Sequence, residues 1–138
     1  MQKKINNVTS ILLFLLLSQQ ALACKCKDKP TLEEKHDNSD LVVMGRVVST
    51  KLIQLDGREF VEATYETIET YKGKDTKSGI VLDSLTSCRL GIRTGVRYMF
   101  YLKNNNKHVG YCSGSHSIYP NNRQNKEELK KLKSLLDQ

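Results

Sequence analysis

The sequence predicts a small, mainly β domain: a closed barrel of five strands, with a short helix before it and an amphipathic helix after it. Two observations carry this prediction. Five strand-like runs follow one another with turn residues at short spacing between them, which is typical of small all-β domains. A single stretch with helical periodicity then follows the last run.

The beginning of the chain has the three parts of a secretory signal peptide. Two lysines precede a compact apolar run at residues 11–17, and Ala21 and Ala23 occupy the A-x-A positions before a cleavage site. The run is shorter than the roughly 20 residues that a membrane-spanning helix needs, and no later segment is apolar enough for a span. We therefore expect residues 1–23 to be removed, and residues 24–138 to form one secreted domain, extracellular or periplasmic.

Cleavage after Ala23 leaves Cys24 as the N-terminal residue with a free amine. The alternative is a lipid attached to Cys24, which would block the amine and anchor the protein. That signal normally has Leu or a similar branched residue three positions before the cysteine, and Ala21 stands there instead. The A-x-A motif therefore favours a free amine.

The mature chain of 115 residues suits one domain with a small core. The removed segment carries two lysines and no acidic residue, so the net charge falls from +7 to +5. The remaining lysines are interleaved with glutamates, which is typical of a solvated surface. A mildly basic protein that meets acidic surfaces or polysaccharides is the alternative.

All four cysteines, Cys24, Cys26, Cys88 and Cys112, belong to the mature chain. An even number in an exported protein predicts two disulfides. A Cys24–Cys26 bond would close a tight, strained ring, so both should reach Cys88 and Cys112, in either of two pairings. Each long loop closed in this way contributes about 3–4 kcal/mol in the chain-entropy model. Termini fray unless they are tied down, so two bridges within three residues indicate that the position of this segment matters.

The structural elements follow in chain order. Thr31 and Glu34 form a capping box for a short helix. The first strand covers residues 40–49, and Gly45 within it predicts a bend or bulge. A turn at residues 55–57 follows. The other four strands are predicted from alternating or continuous apolar patterns; they cover residues 59–71, 80–85, 96–102 and 108–112. We expect loops between and after them, at residues 72–79, 86–95, 104–107 and 113–122.

A helix is predicted over residues 125–138, because four leucines lie on one stripe at helical spacing. This stripe should pack on the sheet. A membrane-surface helix is the alternative, but the segment is short and its polar face mixes Glu with Lys. Five strands followed by this helix suit a barrel of the oligonucleotide/oligosaccharide-binding (OB) type.

The mature chain resembles the netrin-like module of the tissue inhibitors of metalloproteinases, as a bacterial-type single-domain relative. That family begins with Cys-x-Cys directly after the signal peptide, as Cys24-Lys25-Cys26 would here. The resemblance spans nearly all of the mature chain. Its other matches are the D-L-V stretch at 40–42, the strand end Tyr71-Lys72-Gly73, Cys88 with Gly95 and R-Y-M-F-Y-L, Cys112, and the loop with Pro120 before the last helix.

The resemblance implies the disulfides Cys24–Cys88 and Cys26–Cys112, and a secreted inhibitor of zinc metalloproteases. The α-amine and carbonyl oxygen of Cys24 would chelate the zinc of the target protease, and the side chain of Lys25 would enter its specificity pocket. The inhibitor itself would have no catalytic residue and no cofactor, and we expect a monomer. The resemblance also implies further protease contacts, from Cys26, Thr86, Ser87 and Arg89.

The chemistry of such a site is sound. A zinc protease keeps one coordination position open for water. An α-amine has a pKa of about 7.7–8.0, so part of it is neutral near pH 7 and can bind the metal.

This chain departs from the family at Lys25, where inhibitors have Thr or Ser, and near Asp37, where a family cysteine is absent. An ammonium in an apolar pocket is costly, so either the target pocket is acidic or the protein is not an inhibitor.

There are three alternatives to protease inhibition. A nucleic-acid binder would stack bases on exposed tyrosines, but export argues against it. An enzyme needs an acid–base or nucleophile constellation, which the isolated histidines do not supply; we expect them to lie on the surface without metal-ligand spacing. The strongest alternative is a non-inhibitory netrin-like module that binds an extracellular protein or polyanion. The tyrosines in question are Tyr98, Tyr101 and Tyr111, and the histidines are His36, His108 and His116.

Overall fold

The computed structural model describes residues 24–27, 30–104 and 106–136. The predicted signal peptide and its cleavage site lie outside these residues. No helix in the described part of the chain is long and apolar enough to cross a membrane. The two helices are α1 (Leu32–Asp37) and α2 (Arg123–Leu136), and a 3-10 turn covers Tyr111–Ser113. The six strands are β1 (Leu41–Leu55), β2 (Arg58–Lys72), β3 (Ser78–Ser84), β4 (Arg97–Leu102), β5 (His108–Val109) and β6 (His116–Ile118).

The strands form one curled sheet, a half-barrel in the order β5-β3-β2-β1-β4-β6. The domain is therefore mainly β, as expected, but it has six strands and not five. The additional strand is β6, in the segment predicted as a loop, where Arg97 pairs with Ile118. The predicted strand at 108–112 shrinks to the two residues of β5, because Gly110 precedes the 3-10 turn.

A long hairpin of two 15-residue strands, β1 and β2, dominates the sheet. Asp56 and Gly57 connect the strands with φ angles of 49° and 74°. Two consecutive residues with positive φ are typical of the tight turn that matches the twist of a hairpin. The β1–β2 pairing shifts register next to Gly45, as predicted. A Cβ at that position would collide with the ring of Tyr65, so glycine allows β2's tyrosine to cross β1 closely.

Alternation along β1 divides the interior into two cores, because successive strand residues point to opposite faces. Val43 and Val47 lie in a core with Tyr65 and Phe100. Val42 and Met44 face the other way, where α2 covers the sheet. The leucine stripe predicted for the last helix is confirmed for three of its four members, because Leu136 is 50% exposed. Leu132 is fully buried there, with Leu129 and Leu135 packed beside it.

The helix α1 has the predicted capping box. The Thr31 hydroxyl accepts a hydrogen bond from Glu34 N at 3.2 Å, and the Glu34 carboxylate accepts one from Thr31 N at 2.7 Å. At the other end, Lys72 Nζ donates to the carbonyl oxygen of His36 at 2.8 Å. A cation at a helix C-terminus stabilises the unpaired carbonyl groups there. These contacts fix α1 against β2 and therefore fix where the chain enters the sheet.

Candidate functional site

Two disulfides hold the segment 24–26 against the sheet. Cys24 is bonded to Cys88 and Cys26 to Cys112, with Cα atoms 5.1 and 5.4 Å apart. Of the two pairings that the sequence left open, this is the one that the family resemblance implies. The bridges lie side by side, since Cys24 Sγ is 3.8 Å from Cys112 Sγ. These sulfurs form a cluster, but all of them are oxidised, and metals are bound by thiolates. The cluster therefore offers no metal site of its own.

A buried carboxylate at the end of β3 holds the loop that carries Cys88. Asp83, at the end of β3, is only 2% exposed. Its Oδ1 accepts a hydrogen bond from Leu90 N at 2.8 Å, and its Oδ2 accepts two, from Gly91 N at 2.7 Å and Ile92 N at 3.2 Å. A buried charge is tolerated when such donors satisfy it. Asp83 thus sets the position of the loop after Cys88.

The same loop is also folded locally. The Thr86 hydroxyl accepts a hydrogen bond from Cys88 N at 3.3 Å, and Arg89 N donates to the carbonyl oxygen of Thr86 at 3.1 Å. From the other side, the Tyr98 hydroxyl accepts a hydrogen bond from Arg93 N at 3.0 Å. Side chains from β3 and β4 therefore hold this connector, which has no regular secondary structure over most of its length.

The second cysteine-bearing segment lies directly beside the first. Tyr111 N donates a hydrogen bond to the carbonyl oxygen of Cys88 at 2.9 Å. Gly110 makes room for this approach, because a Cβ there would come within 3.1 Å of the same carbonyl oxygen. The segment then turns through Ser113, whose hydroxyl donates to the Gly110 carbonyl at 2.8 Å. Both anchor points of the segment 24–26 therefore share one rigid surface.

The residues that the resemblance places against a protease lie together on this surface. Lys25 is exposed between the two bridged cysteines, and Cys24 and Cys26 are half-buried. Thr86, Ser87 and Arg89 are exposed around the Cys24–Cys88 bond. Whether these side chains contact a partner stays a prediction. Their arrangement gives an exposed Lys25 side chain between two half-buried cysteines, with polar and cationic neighbours.

A cleft of about 550 Å³ runs beside the Cys26–Cys112 bridge. Pro30, Leu90 and the half-exposed ring of Tyr111 supply apolar walls, while the side of the cleft near β6 is polar. The surface beside Cys26 is thus concave.

A polar cluster, of which His116 lines that cleft, corrects one expectation. His116 is not a free surface histidine: its Nε2 is 2.8 Å from a Glu128 carboxylate oxygen, and its Nδ1 is 3.0 Å from the carbonyl oxygen of Gly114. The other Glu128 oxygen accepts a hydrogen bond from the Tyr101 hydroxyl at 2.6 Å. Because both ring nitrogens face acceptors, both must donate, which only the protonated imidazole can do.

Charge and burial oppose each other in this cluster. Burial alone would lower the pKa of His116, but the hydrogen bond and charge of Glu128 outweigh it and raise the pKa above its usual value. For Glu128, burial raises the pKa, and the pairing with His116 and Tyr101 brings it below the usual value. The pair therefore joins α2 to β6 as an ion pair near neutral pH.

The tyrosines on which a nucleic-acid binder would stack bases lie mostly inside the domain. Tyr98 and Tyr101 are buried, and of the three only Tyr111 is well exposed, at 59%. One exposed ring among these three is a poor platform for successive bases, which need several.

No protein-family model and no curated protein matches this chain. Two residues that shape the site were missed by sequence reasoning, Asp83 and His116. Asp83 did leave a signal, since it is the one acidic residue within an otherwise apolar strand pattern at 80–85. His116 left none, because its carboxylate partner lies twelve residues further along the chain.

Proposed function

We propose that this protein is a secreted inhibitor of zinc metalloproteases of the netrin-like type, with an OB-like barrel and with Cys24 as its mature N-terminus. The observation that carries the proposal is the double anchoring of the segment 24–26. Two bridges, spanning 64 and 86 residues, fix three consecutive residues to two neighbouring loops. Stability favours long loops, but it does not require that both bridges begin within three residues of each other.

The proposed mechanism uses the backbone of Cys24 and not its sulfur. The amine nitrogen and the carbonyl oxygen of one residue close a five-membered ring on a metal ion. On the zinc of a protease, this chelate would displace the water that attacks the peptide bond. The Cys24–Cys88 bond removes in advance much of the conformational freedom that a loose terminus would lose on docking.

The exposed side chains next to Cys24 support a role in docking. Lys25 would follow the chelating residue into the protease cleft, and Thr86, Ser87 and Arg89 would contact its rim. Lys25 carries a positive charge, so the proposal favours a protease with an acidic specificity pocket. Such a pocket would stabilise the ammonium group that an apolar pocket would have to desolvate.

The test begins with the protein exported from its own leader, checked by N-terminal sequencing and intact mass. We expect a chain that begins at Cys24 and inhibits peptide hydrolysis by at least one zinc protease in a panel. One alanine added before Cys24 moves the amine away from the disulfide anchor. It should abolish inhibition while circular dichroism and both bridges stay unchanged. Chemical acetylation of the amine should do the same.

Lys25→Thr tests specificity. It should strengthen inhibition of proteases with apolar pockets and weaken inhibition of those with acidic pockets. Lys27→Thr is the matched control, because Lys27 is also exposed but lies outside the two bridges; it should change neither. A correctly processed parent that inhibits no protease, or an alanine-extended form that inhibits equally well, would rule out the chelation mechanism.

The second candidate is a non-inhibitory netrin-like module that binds an extracellular protein or polyanion. The positive charge of Lys25 at the specificity position favours it, because the resemblance leads us to expect a small side chain there. Binding to an immobilised polyanion that weakens with salt, in the absence of any protease inhibition, would support this candidate.

A further inference from the structure

A second, larger cleft lies away from the cysteines, where the start of β1 meets the β2–β3 and β4–β5 connections. Its volume is about 630 Å³. Small-molecule sites typically measure about 300–1,000 Å³, whereas a single water takes up only about 30 Å³. The cleft therefore has room for a ligand that contains several rings, and not only for a single small ion. None of the residues assigned to protease contact lines it.

Positive charge dominates this cleft. Lys74 comes from the β2–β3 connection, and Lys103 and Lys107 come from the β4–β5 connection. None of the three forms an ion pair with another residue that the structure describes. One carboxylate, Asp40, shares the described lining, and its Oδ2 already accepts a hydrogen bond from Asn104 N at 2.7 Å. Three lysines thus line the cleft, with a single acidic residue in the described lining.

The rest of the lining combines three apolar side chains, Leu41, Ile80 and Leu102, with groups that can form hydrogen bonds. The most telling group is Tyr65, which is only 2% exposed yet lines the cleft. Its hydroxyl has no hydrogen-bond partner among the described residues, and burial raises the pKa of Tyr65 so that it remains a donor. The hydroxyl is open to the cleft and is therefore available to a ligand atom. Other polar side chains in the lining are Thr76, Ser78, Asn104 and Asn106.

We propose that this cleft binds an acidic saccharide, a sulfated or carboxylated unit of an extracellular polysaccharide. Ammonium groups on two connections suit anionic groups spaced along a chain, and the hydroxyl and amide groups suit sugar hydroxyls. A nucleic acid would instead need exposed aromatic rings for its bases, and the one aromatic side chain in the lining is the buried Tyr65. The proposal deepens the second candidate function and is independent of protease inhibition.

The test is calorimetric titration of the mature protein, without protease, using a heparin-derived tetrasaccharide, tetragalacturonate and neutral maltotetraose. We expect binding of one or both anionic probes, weakened by salt because the charges are exposed, and none of maltotetraose. Lys103→Gln with Lys107→Gln should weaken binding about tenfold, since each exposed ionic contact contributes up to about fivefold. The matched control, Lys126→Gln with Lys130→Gln, removes the same charge from exposed positions on α2.

The control should change affinity by less than about twofold, as expected for charges far from a bound ligand. Equal losses in the two double variants would show that net charge alone attracts the probe, and would overturn the site. So would failure of both anionic probes to bind, or tighter binding of a single-stranded oligonucleotide than of either probe at the same salt concentration. The alanine-extended protein should bind the saccharide normally, which separates this proposal from the inhibitory one.

Tyr65→Phe tests the hydroxyl that lines the cleft. The ring that packs 4.9 Å from Phe100 is retained, and no hydrogen bond to another described residue is lost. We expect several-fold weaker saccharide binding with an unchanged melting temperature. Unchanged affinity would show that the hydroxyl does not contact the ligand and would overturn the assignment of Tyr65 to the site.

Discussion

Replacement of Asp83 should loosen the loop that anchors Cys24, and the structure allows the size of the effect to be estimated. In Asp83→Ala, the amide groups of Leu90, Gly91 and Ile92 lose their common acceptor inside the domain. An unsatisfied buried donor costs about 1–3 kcal/mol. Because part of the loop can turn toward water, we expect the free energy of unfolding to fall by about 3–5 kcal/mol, and not by the full sum.

Asp83→Asn should show how much of this loss of stability comes from one of the three hydrogen bonds. An amide has the same shape but only one acceptor oxygen. If that oxygen serves Gly91 and Ile92, the NH₂ group faces the N–H of Leu90, which is left without an acceptor. The loss of this one charge-assisted bond should cost about 2–3 kcal/mol, so the asparagine variant should lie between the parent and the alanine variant.

The assay is urea unfolding of the oxidised protein, combined with hydrogen exchange of the three loop amides. Asp75→Asn is the control, because Asp75 is exposed and accepts one hydrogen bond, from the Thr70 hydroxyl; we expect a change within about 0.5 kcal/mol. If Asp83→Ala unfolds within about 1 kcal/mol of the parent, or if the three amides exchange at parental rates, the carboxylate does not hold the loop.

Two further predictions concern the bridges and the buried ion pair. Cys26→Ser with Cys112→Ser should cost about 2–5 kcal/mol, as is typical when a small secreted domain loses a native disulfide; an unchanged melting curve would contradict a structural role. His116 has a folded-state pKa raised above 6.5, so its stabilising contribution is complete below about pH 6.5 and is lost as the pH rises through the folded value. Urea titrations between pH 6 and 9 should show this loss, on the order of 1 kcal/mol, in the parent and in the exposed-site control His108→Gln but not in His116→Gln. Equal pH dependence in all three proteins would contradict the ion pair.

The sequence predicted those elements whose signal is local. The capping box at Thr31 and the leucine stripe of α2 each depend on residues within a few positions of one another, and the register shift on β1 is marked by Gly45 itself. Glycine, capping side chains and helical periodicity act through nearby backbone. These features can therefore be predicted from the sequence without knowledge of tertiary contacts.

The missed elements depend on distant partners. The strand β6 is three residues long and contains His116 and Ser117, so it has no apolar pattern; it is extended because β4 pairs with it. The outer part of β1, residues 50–55, is mostly exposed and is a strand because β2 continues beside it. Strand propensity follows such context more than local sequence. The ion pair of His116 could not be predicted for the same reason, because its partner Glu128 belongs to another element.

The double anchoring of residues 24–26 also has a consequence for how the domain matures. A chain synthesised from its N-terminus presents Cys24 and Cys26 first, and their partners appear 64 and 86 residues later. Pairing by order of appearance would join the two neighbours to each other, which the native domain does not do. Native bonds can therefore close only after the half-barrel has brought the late segments together, or after a premature bond has been exchanged. Oxidative maturation should accordingly be slow and accelerated by a disulfide isomerase, since reshuffling takes seconds to hours without one. The cysteines made first would then be the last to reach their final place.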